Sequence, residues 1–123
     1  MTRTFVALAL AASCAASAAA ATAPAAAVQA AFGNTIVSTY PDGRVAKLWL
    51  QAGGAYSAEG RRHDASSGHW SVKGAKLCLK QAKPIATPFS YCTPIPDAGL
   101  GHAWSAKAFT GEDIRVQVVK GRA

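Results

Sequence analysis

Turn-forming residues recur about every eight to twelve positions after residue 31, and no other feature restricts the fold as strongly. The turn signals lie at 41–43, 53–54, 64–68, 73–75 and 111–113. The runs between them are short and rich in β-branched and aromatic residues, and none has a sustained helical period. Such spacing is typical of an all-β sandwich or barrel. It predicts strands at 34–40, 45–51, 55–61, 69–73, 76–80, 89–93, 103–109 and 114–120.

Apolar and polar side chains alternate along the predicted strands, as in the run from Ile114 through Val116 to Val118. Because successive side chains of a strand point to opposite faces, the alternation identifies the residues that face the core. The predicted core residues are Leu48, Leu50, Tyr56, Trp70, Leu77, Leu79, Phe89, Tyr91, Trp104, Ile114, Val116 and Val118. Together they are large enough to fill a small barrel, so we expect a packed interior without a sizeable ligand cavity.

The chain has 123 residues, which is enough for one small domain. Its predicted strands follow one another through short turns. We therefore expect an antiparallel up-and-down barrel of about seven to eight short strands. Closure of the barrel would also remove exposed strand edges. A strongly curved open sheet and a small sandwich remain alternatives.

The first 30 residues have the composition of a secretory signal peptide: a positively charged start, an apolar stretch and a long run of small residues. Cleavage after Ala21 and cleavage after Ala30 both satisfy the small-residue rule, and the second leaves a single β domain at 31–123. Cys14 stands in a degraded lipoprotein box, so a lipid anchor is an alternative to its loss with the leader. We expect a periplasmic or secreted protein with no transmembrane segment in the mature chain.

Removal of the leader leaves two of the three cysteines, Cys78 and Cys92. An even number of cysteines in an exported chain predicts a disulfide. Leu77 and Leu79 face the core, which places Cys78 on the opposite side, and Phe89 and Tyr91 place Cys92 there as well. A bridge between consecutive strands on the outer surface fits this pattern. A redox pair usually has Cys-x-x-Cys spacing, which is absent from this sequence.

The residues around the first of these cysteines resemble a motif of small exported bacterial β-proteins. In that motif a Gly-x-Trp strand turns through glycine into a Leu-Cys-Leu strand, and a second cysteine follows. Here it corresponds to 68–79 followed by Cys92, within a resemblance that covers 67–92. The chain also resembles periplasmic metalloprotease-inhibitor barrels, which combine Gly-x-Trp, two bridged cysteines and a later tryptophan, here Trp104. The second resemblance implies inhibition of a secreted protease.

The stretch 61–69 is the densest polar segment and contains serine, histidine and aspartate. Neighbouring residues in one turn do not hold the geometry of a catalytic triad, in which a base contacts the nucleophile and a carboxylate orients the base. His63 and His69 would face each other if 64–68 were a loop, but two ligands are too few for a structural zinc site. We therefore predict no catalytic residues, no metal site and no cofactor, and we expect a protein that is not an enzyme.

Thirteen Lys and Arg residues stand against six Asp and Glu, which gives a formal net charge of +7. Many of these cations fall on neighbouring predicted hairpins, where they would form a positive face for an acidic protein or an anionic envelope component. A nucleic acid is not the partner that we expect. Solubility and protection of strand edges are the alternative explanation. The residues of the predicted face are Lys47, Trp49, Arg61, Arg62, Lys73, Lys76 and Lys80.

These observations predict an exported, non-enzymatic binding or structural module of the bacterial envelope. Two alternatives are inhibition of a periplasmic protease and binding of a polyanion, such as an envelope glycolipid, through the Lys/Arg face. A carrier of small ligands would instead require an empty space inside the barrel.

Overall fold

A computed structural model describes residues 26–97 and 99–123 of the chain. Within these residues the backbone forms one short helix and eight strands, and the strands make a single antiparallel sheet. The all-β, barrel-like fold predicted from the sequence is confirmed. The elements are α1 (Ala26–Ala31), β1 (Thr35–Thr39), β2 (Val45–Leu50), β3 (Ala55–Glu59), β4 (Ala65–Lys73), β5 (Lys76–Lys83), β6 (Tyr91–Pro94), β7 (Ala103–Lys107) and β8 (Asp113–Val119).

The sheet has the strand order of an up-and-down barrel with one open seam. β1 pairs with both β2 and β8, and the order across the sheet is β6-β5-β4-β3-β2-β1-β8-β7. The two edge strands, β6 and β7, face each other across a groove of about 380 Å³. The Tyr91 hydroxyl crosses the seam and donates a hydrogen bond to the Lys107 carbonyl oxygen. Pro94 suits the edge position, because proline has no N–H to donate to a ladder.

The barrel has two different ends. We call the end formed by the turns 40–44, 60–64 and 108–112 and the loop 84–90 the mouth, and the opposite end the base. Helix α1 packs against the base, where the side chains of Ala27, Val28 and Ala31 are completely buried. The aromatic ring of Phe32, just after the helix, lies 5.7 Å from that of Trp70. The base of the barrel is therefore closed by apolar contacts.

Five of the six residues of helix α1 fall inside the predicted leader, so the predicted domain start at residue 31 would divide a structured segment. Cleavage after Ala30 would remove most of the helix, whereas cleavage after Ala21 would retain it. Ala21 and Cys14 lie outside the described residues, and both alternatives for processing stay predictions.

The predicted loop at 64–68 is wrong, because β4 begins at Ala65. The turn lies at 60–64 instead, where the Gly60 N–H donates to the Asp64 carbonyl oxygen at 2.9 Å. The Ser-Ser-Gly composition is typical of a loop, but here the glycine lies within a strand, at a position where the neighbouring backbone comes close. A Cβ atom on Gly68 would lie only 2.0 Å from the backbone carbonyl oxygen of Lys80, beside a β-bulge in the β4–β5 pairing.

The predicted disulfide is confirmed and joins the edge strand β6 to β5. Cys78 and Cys92 are direct partners in the antiparallel register, with their Cα atoms 4.0 Å apart. Their neighbours Leu77 and Leu79 line the barrel interior, so the bridge lies on the outer surface, as the alternation predicted. Only Cys92 is exposed, since Cys78 retains 2% of its accessible surface.

Candidate ligand-binding cavity

The interior of the barrel contains a cavity of about 210 Å³. The expectation of a packed interior is therefore wrong. Large side chains fill the lower half of the barrel, but the inward positions nearer the mouth carry small residues, among them Ala46, Ala58, Ser66 and Ala106. Alternation identified which face each residue occupies and gave no measure of the space between facing strands. The apolar part of the lining includes Ile36, Leu48, Leu79, Trp104, Ile114 and Val116.

A second space of about 390 Å³ lies next to the cavity at the mouth. Tyr40, Ala58 and Tyr91 line both spaces, so the two are adjacent. Phe89 was predicted to face the core, but it belongs to the loop 84–90 and is 49% exposed. The site therefore has the form of a cup that is closed at the base and open at the mouth.

Three exposed apolar side chains stand at one side of the mouth, and we call them the apolar lip: Ile85, Phe89 and Phe109. Ile85 is 74% exposed and Phe109 is 67% exposed. The rings of Phe89 and Phe109 stack with a centroid distance of 5.6 Å, and Tyr91 meets Phe109 edge-on. Exposed apolar side chains gathered at a cavity entrance are characteristic of binding surfaces.

The cavity wall also offers hydrogen-bonding groups. Within the described residues, the Thr93 hydroxyl oxygen is buried in the structure without a hydrogen-bond partner. Buried side-chain polar atoms usually have a partner, so this hydroxyl is suited to contact a bound molecule. Tyr40 is near the mouth, and burial raises the pKa of its phenol. The phenol is therefore neutral at physiological pH, and the lining also includes the charged residues Lys47 and Glu59.

Arg61 connects three of the turns that form the mouth. Its guanidinium donates two hydrogen bonds to the Glu112 carboxylate, at 2.8 and 2.9 Å, and lies 3.5 Å from Asp42. It also lies over the Tyr40 ring, 4.3 Å from the ring centre. A third hydrogen bond to Glu112 comes from the Thr110 hydroxyl at 2.9 Å. An anionic partner would therefore have to compete with the Glu112 and Asp42 carboxylates for the Arg61 guanidinium.

We expect the mouth turns to loosen in acid. Hydrogen bonds from Arg61 and then from Thr110 lower the pKa of Glu112 below its ordinary value of 4.5. A carboxyl group with a lowered folded-state pKa stabilises the fold above the unfolded pKa, and this contribution is lost as the pH falls through the lowered value. NMR resonances of the turns 60–64 and 108–112 should shift together below about pH 4.5. In Glu112→Gln this coordinated shift should vanish; its persistence would contradict the assignment.

The residues of the predicted positive face lie on several different elements and have different neighbours. Lys73, Lys76 and Lys80 are exposed on the β4–β5 hairpin, with Lys73 and Lys76 paired across it. Lys47 pairs with Glu59 across β2 and β3 and helps to lower its pKa, after the larger effect of the His63 hydrogen bond.

The remaining predicted cation, Arg62, is exposed in the turn 60–64, next to Arg61. The hairpin lysines thus lie on different elements from Arg61 and Arg62.

Trp49, predicted as an exposed anchor, is held in place by other parts of the chain. Its indole N–H donates to the Thr35 hydroxyl at 3.0 Å, and the Arg122 guanidinium covers its ring at 4.2 Å. Thr35 is completely buried and also receives the Ala123 N–H, while it donates to the Gly121 carbonyl oxygen. These contacts fasten the C-terminal residues to the outer surface of β1 and β2, so Trp49 has a structural role.

The two histidines considered as metal ligands lie on different elements. His63 is in the turn 60–64 with a positive φ of 65°, and its ring nitrogen lies 2.8 Å from Glu59. His69 is on the outer face of β4, opposite Lys80. Across residues 26–97 and 99–123, the structure contains no cluster of three or more His, Cys, Asp or Glu residues placed to hold a metal ion.

Comparisons of the chain with protein-family models, with curated proteins and with solved structures yield no match. None of the helices in the described part of the chain has the length and apolar character needed to cross a bilayer. The disulfide is compatible with an extracellular location.

Proposed function

We propose that this protein is an exported, non-enzymatic binding module that takes up a small, mainly apolar molecule through the mouth of its barrel. The observation that carries the proposal is the mainly apolar cavity of about 210 Å³, which lies in a barrel whose base is covered by α1 and whose mouth carries the apolar lip. This cavity is the empty interior that a carrier of small ligands requires.

The size of the cavity limits the ligand. An engineered apolar cavity of roughly 150 Å³ stays dry and binds benzene. The larger cavity in this barrel therefore accommodates one ring system or a short acyl segment, and the space at the mouth can hold the remainder of the molecule. Apolar contacts would supply most of the affinity, while the Thr93 hydroxyl would orient one polar group of the ligand.

Filling the cavity is the direct test. Ala58 faces inward from the middle of β3, and we expect Ala58→Leu to weaken binding of the fluorescent probe N-phenyl-1-naphthylamine at least about tenfold. Because the added methyl groups occupy empty space, the variant should be as stable as the parent protein or more stable by about 1 kcal/mol. A fluorescence titration gives the first result and urea unfolding the second.

Ala55→Leu is the matched control, since Ala55 lies on the same strand but on the outer face. It should leave the probe affinity unchanged. The proposal is overturned if the parent protein does not bind the probe, or if both leucine variants bind it as well as the parent.

A further inference from the structure

Charges are distributed unevenly around the mouth. Five of the six acidic residues lie in the mouth turns or at the strand ends beside them, and most of these are paired: Asp42, Glu59, Asp64, Glu112 and Asp113. Lys80 and Lys83 approach the mouth along β5 and are exposed. Among the described residues, no acidic group lies within 4.0 Å of either lysine. One side of the mouth therefore carries an uncompensated positive charge.

The apolar lip lies on this same side. Ile85 follows Lys83 by two residues and is 74% exposed, and Phe89 lies in the same loop. Phe109 reaches the lip from the turn 108–112 by stacking on Phe89. Cations next to exposed aliphatic and aromatic side chains form an amphipathic surface at the entrance to the cavity.

We infer that the apolar lip, together with Lys80 and Lys83, docks the barrel onto an anionic lipid bilayer. Peripheral proteins bind bilayers by burying apolar side chains at the headgroup boundary while basic residues are attracted to anionic lipids. Phenylalanine and isoleucine supply the first contribution in this protein, and the two lysines supply the second. A soluble polyanion would engage the lysines alone and would leave the lip exposed to water. The inference stands independently of what the cavity binds.

Sedimentation with vesicles tests the electrostatic part. The parent protein should bind vesicles that contain phosphatidylglycerol more tightly than vesicles of phosphatidylcholine alone. Lys80→Glu/Lys83→Glu should weaken binding to the anionic vesicles at least about tenfold. The matched control is Lys73→Glu/Lys76→Glu, which changes the net charge equally at the base end of the same hairpin. Its lysines lie about 20 Å from Lys83, beyond the screening length at physiological salt, and it should weaken binding less than about threefold.

A second pair of variants tests the apolar part. Ile85→Ser/Phe109→Ser should weaken binding to anionic vesicles at least about tenfold. Leu100→Ser is its control, because Leu100 is 47% exposed in the loop between β6 and β7 at the base. That control should bind like the parent protein. Circular dichroism of each variant verifies that the sheet is intact.

Several results would overturn the inference. One is a parent protein that does not sediment with anionic vesicles. Another is an equal loss in the two lysine variants combined with no loss in Ile85→Ser/Phe109→Ser, which would identify a purely electrostatic face for soluble polyanions. Failure of probe binding with intact vesicle binding would remove the proposed cavity function and leave this surface assignment in place.

Discussion

Replacing Cys78 and Cys92 together by alanine is expected to lower the free energy of unfolding by about 3 kcal/mol. The bridge closes a loop between residues 14 apart in sequence, and its loss enlarges the unfolded ensemble. Strand β6 depends on it strongly, because β6 has only four residues and a ladder on one side only. Urea denaturation of the oxidised parent and the double variant measures the difference. Alanine is chosen because Cys78 is almost fully buried.

The parent protein in the presence of a reductant provides the control, and it should lose a similar amount of stability. Amide hydrogen exchange should increase most in β6 and in the loop 84–90, because β6 forms one side of the seam and holds the C-terminal end of that loop. A loss below about 1 kcal/mol would show that the β5–β6 ladder holds the edge without the bridge.

Removal of helix α1 is expected to have an effect of comparable size. A chain that begins at residue 31 should be less stable than one that begins at residue 22 by about 3 kcal/mol. The helix buries Val28 and Ala27 completely, and its loss would also uncover the contact between Phe32 and Trp70 at the base. Urea unfolding of the two chains measures the difference.

Val28→Ala in the longer chain is the control that isolates packing from chain length, and it should account for about 1–2 kcal/mol of the loss. Because the helix stabilises the barrel, we expect the exported protein to retain it, as cleavage after Ala21 would allow. N-terminal mass spectrometry of exported material decides this. A mature chain that starts at Ala31, with stability equal to that of the longer chain, would contradict both expectations.

The closed base and the open mouth bear directly on the proposed function. Large side chains fill the lower half of the barrel beneath the cavity, and α1 packs against this core without lining the cavity itself. The disulfide stabilises β6 at the seam between β6 and β7, where Tyr91 and Thr93 of β6 form part of the cavity wall. The disulfide therefore acts on the cavity wall directly, whereas α1 stabilises the part of the barrel below the cavity.

Local patterns predicted most strands because they record which way each side chain points. Ile114, Val116 and Val118 alternate with polar residues, and the structure buries all three. The prediction was wrong where a segment has the composition of a turn but forms a strand in the folded protein. Gly68 belongs to a segment that resembles a turn, yet it lies in a strand because the backbone at Lys80 leaves no room for a side chain.

The candidate site was much less accessible to sequence reasoning. Inward-facing Ala46, Ala58 and Ala106 were each visible as small residues, but the volume that they leave depends on how far apart the facing strands lie. The surroundings of the predicted positive face also depend on contacts between residues that are far apart in the sequence. Trp49 is covered by Arg122 from the far end of the chain, and Arg61 is paired with Glu112 from another turn.

The sequence by itself determined the strand succession and the faces of the strands, because these follow from backbone geometry over a few residues, and its two remaining cysteines predicted the pairing of Cys78 with Cys92. Only the tertiary structure decided that the barrel is hollow, that α1 closes its base and that aromatic and basic side chains meet at one side of its mouth. These properties depend on distances between segments far apart in the chain, and a local pattern contains no information about such distances.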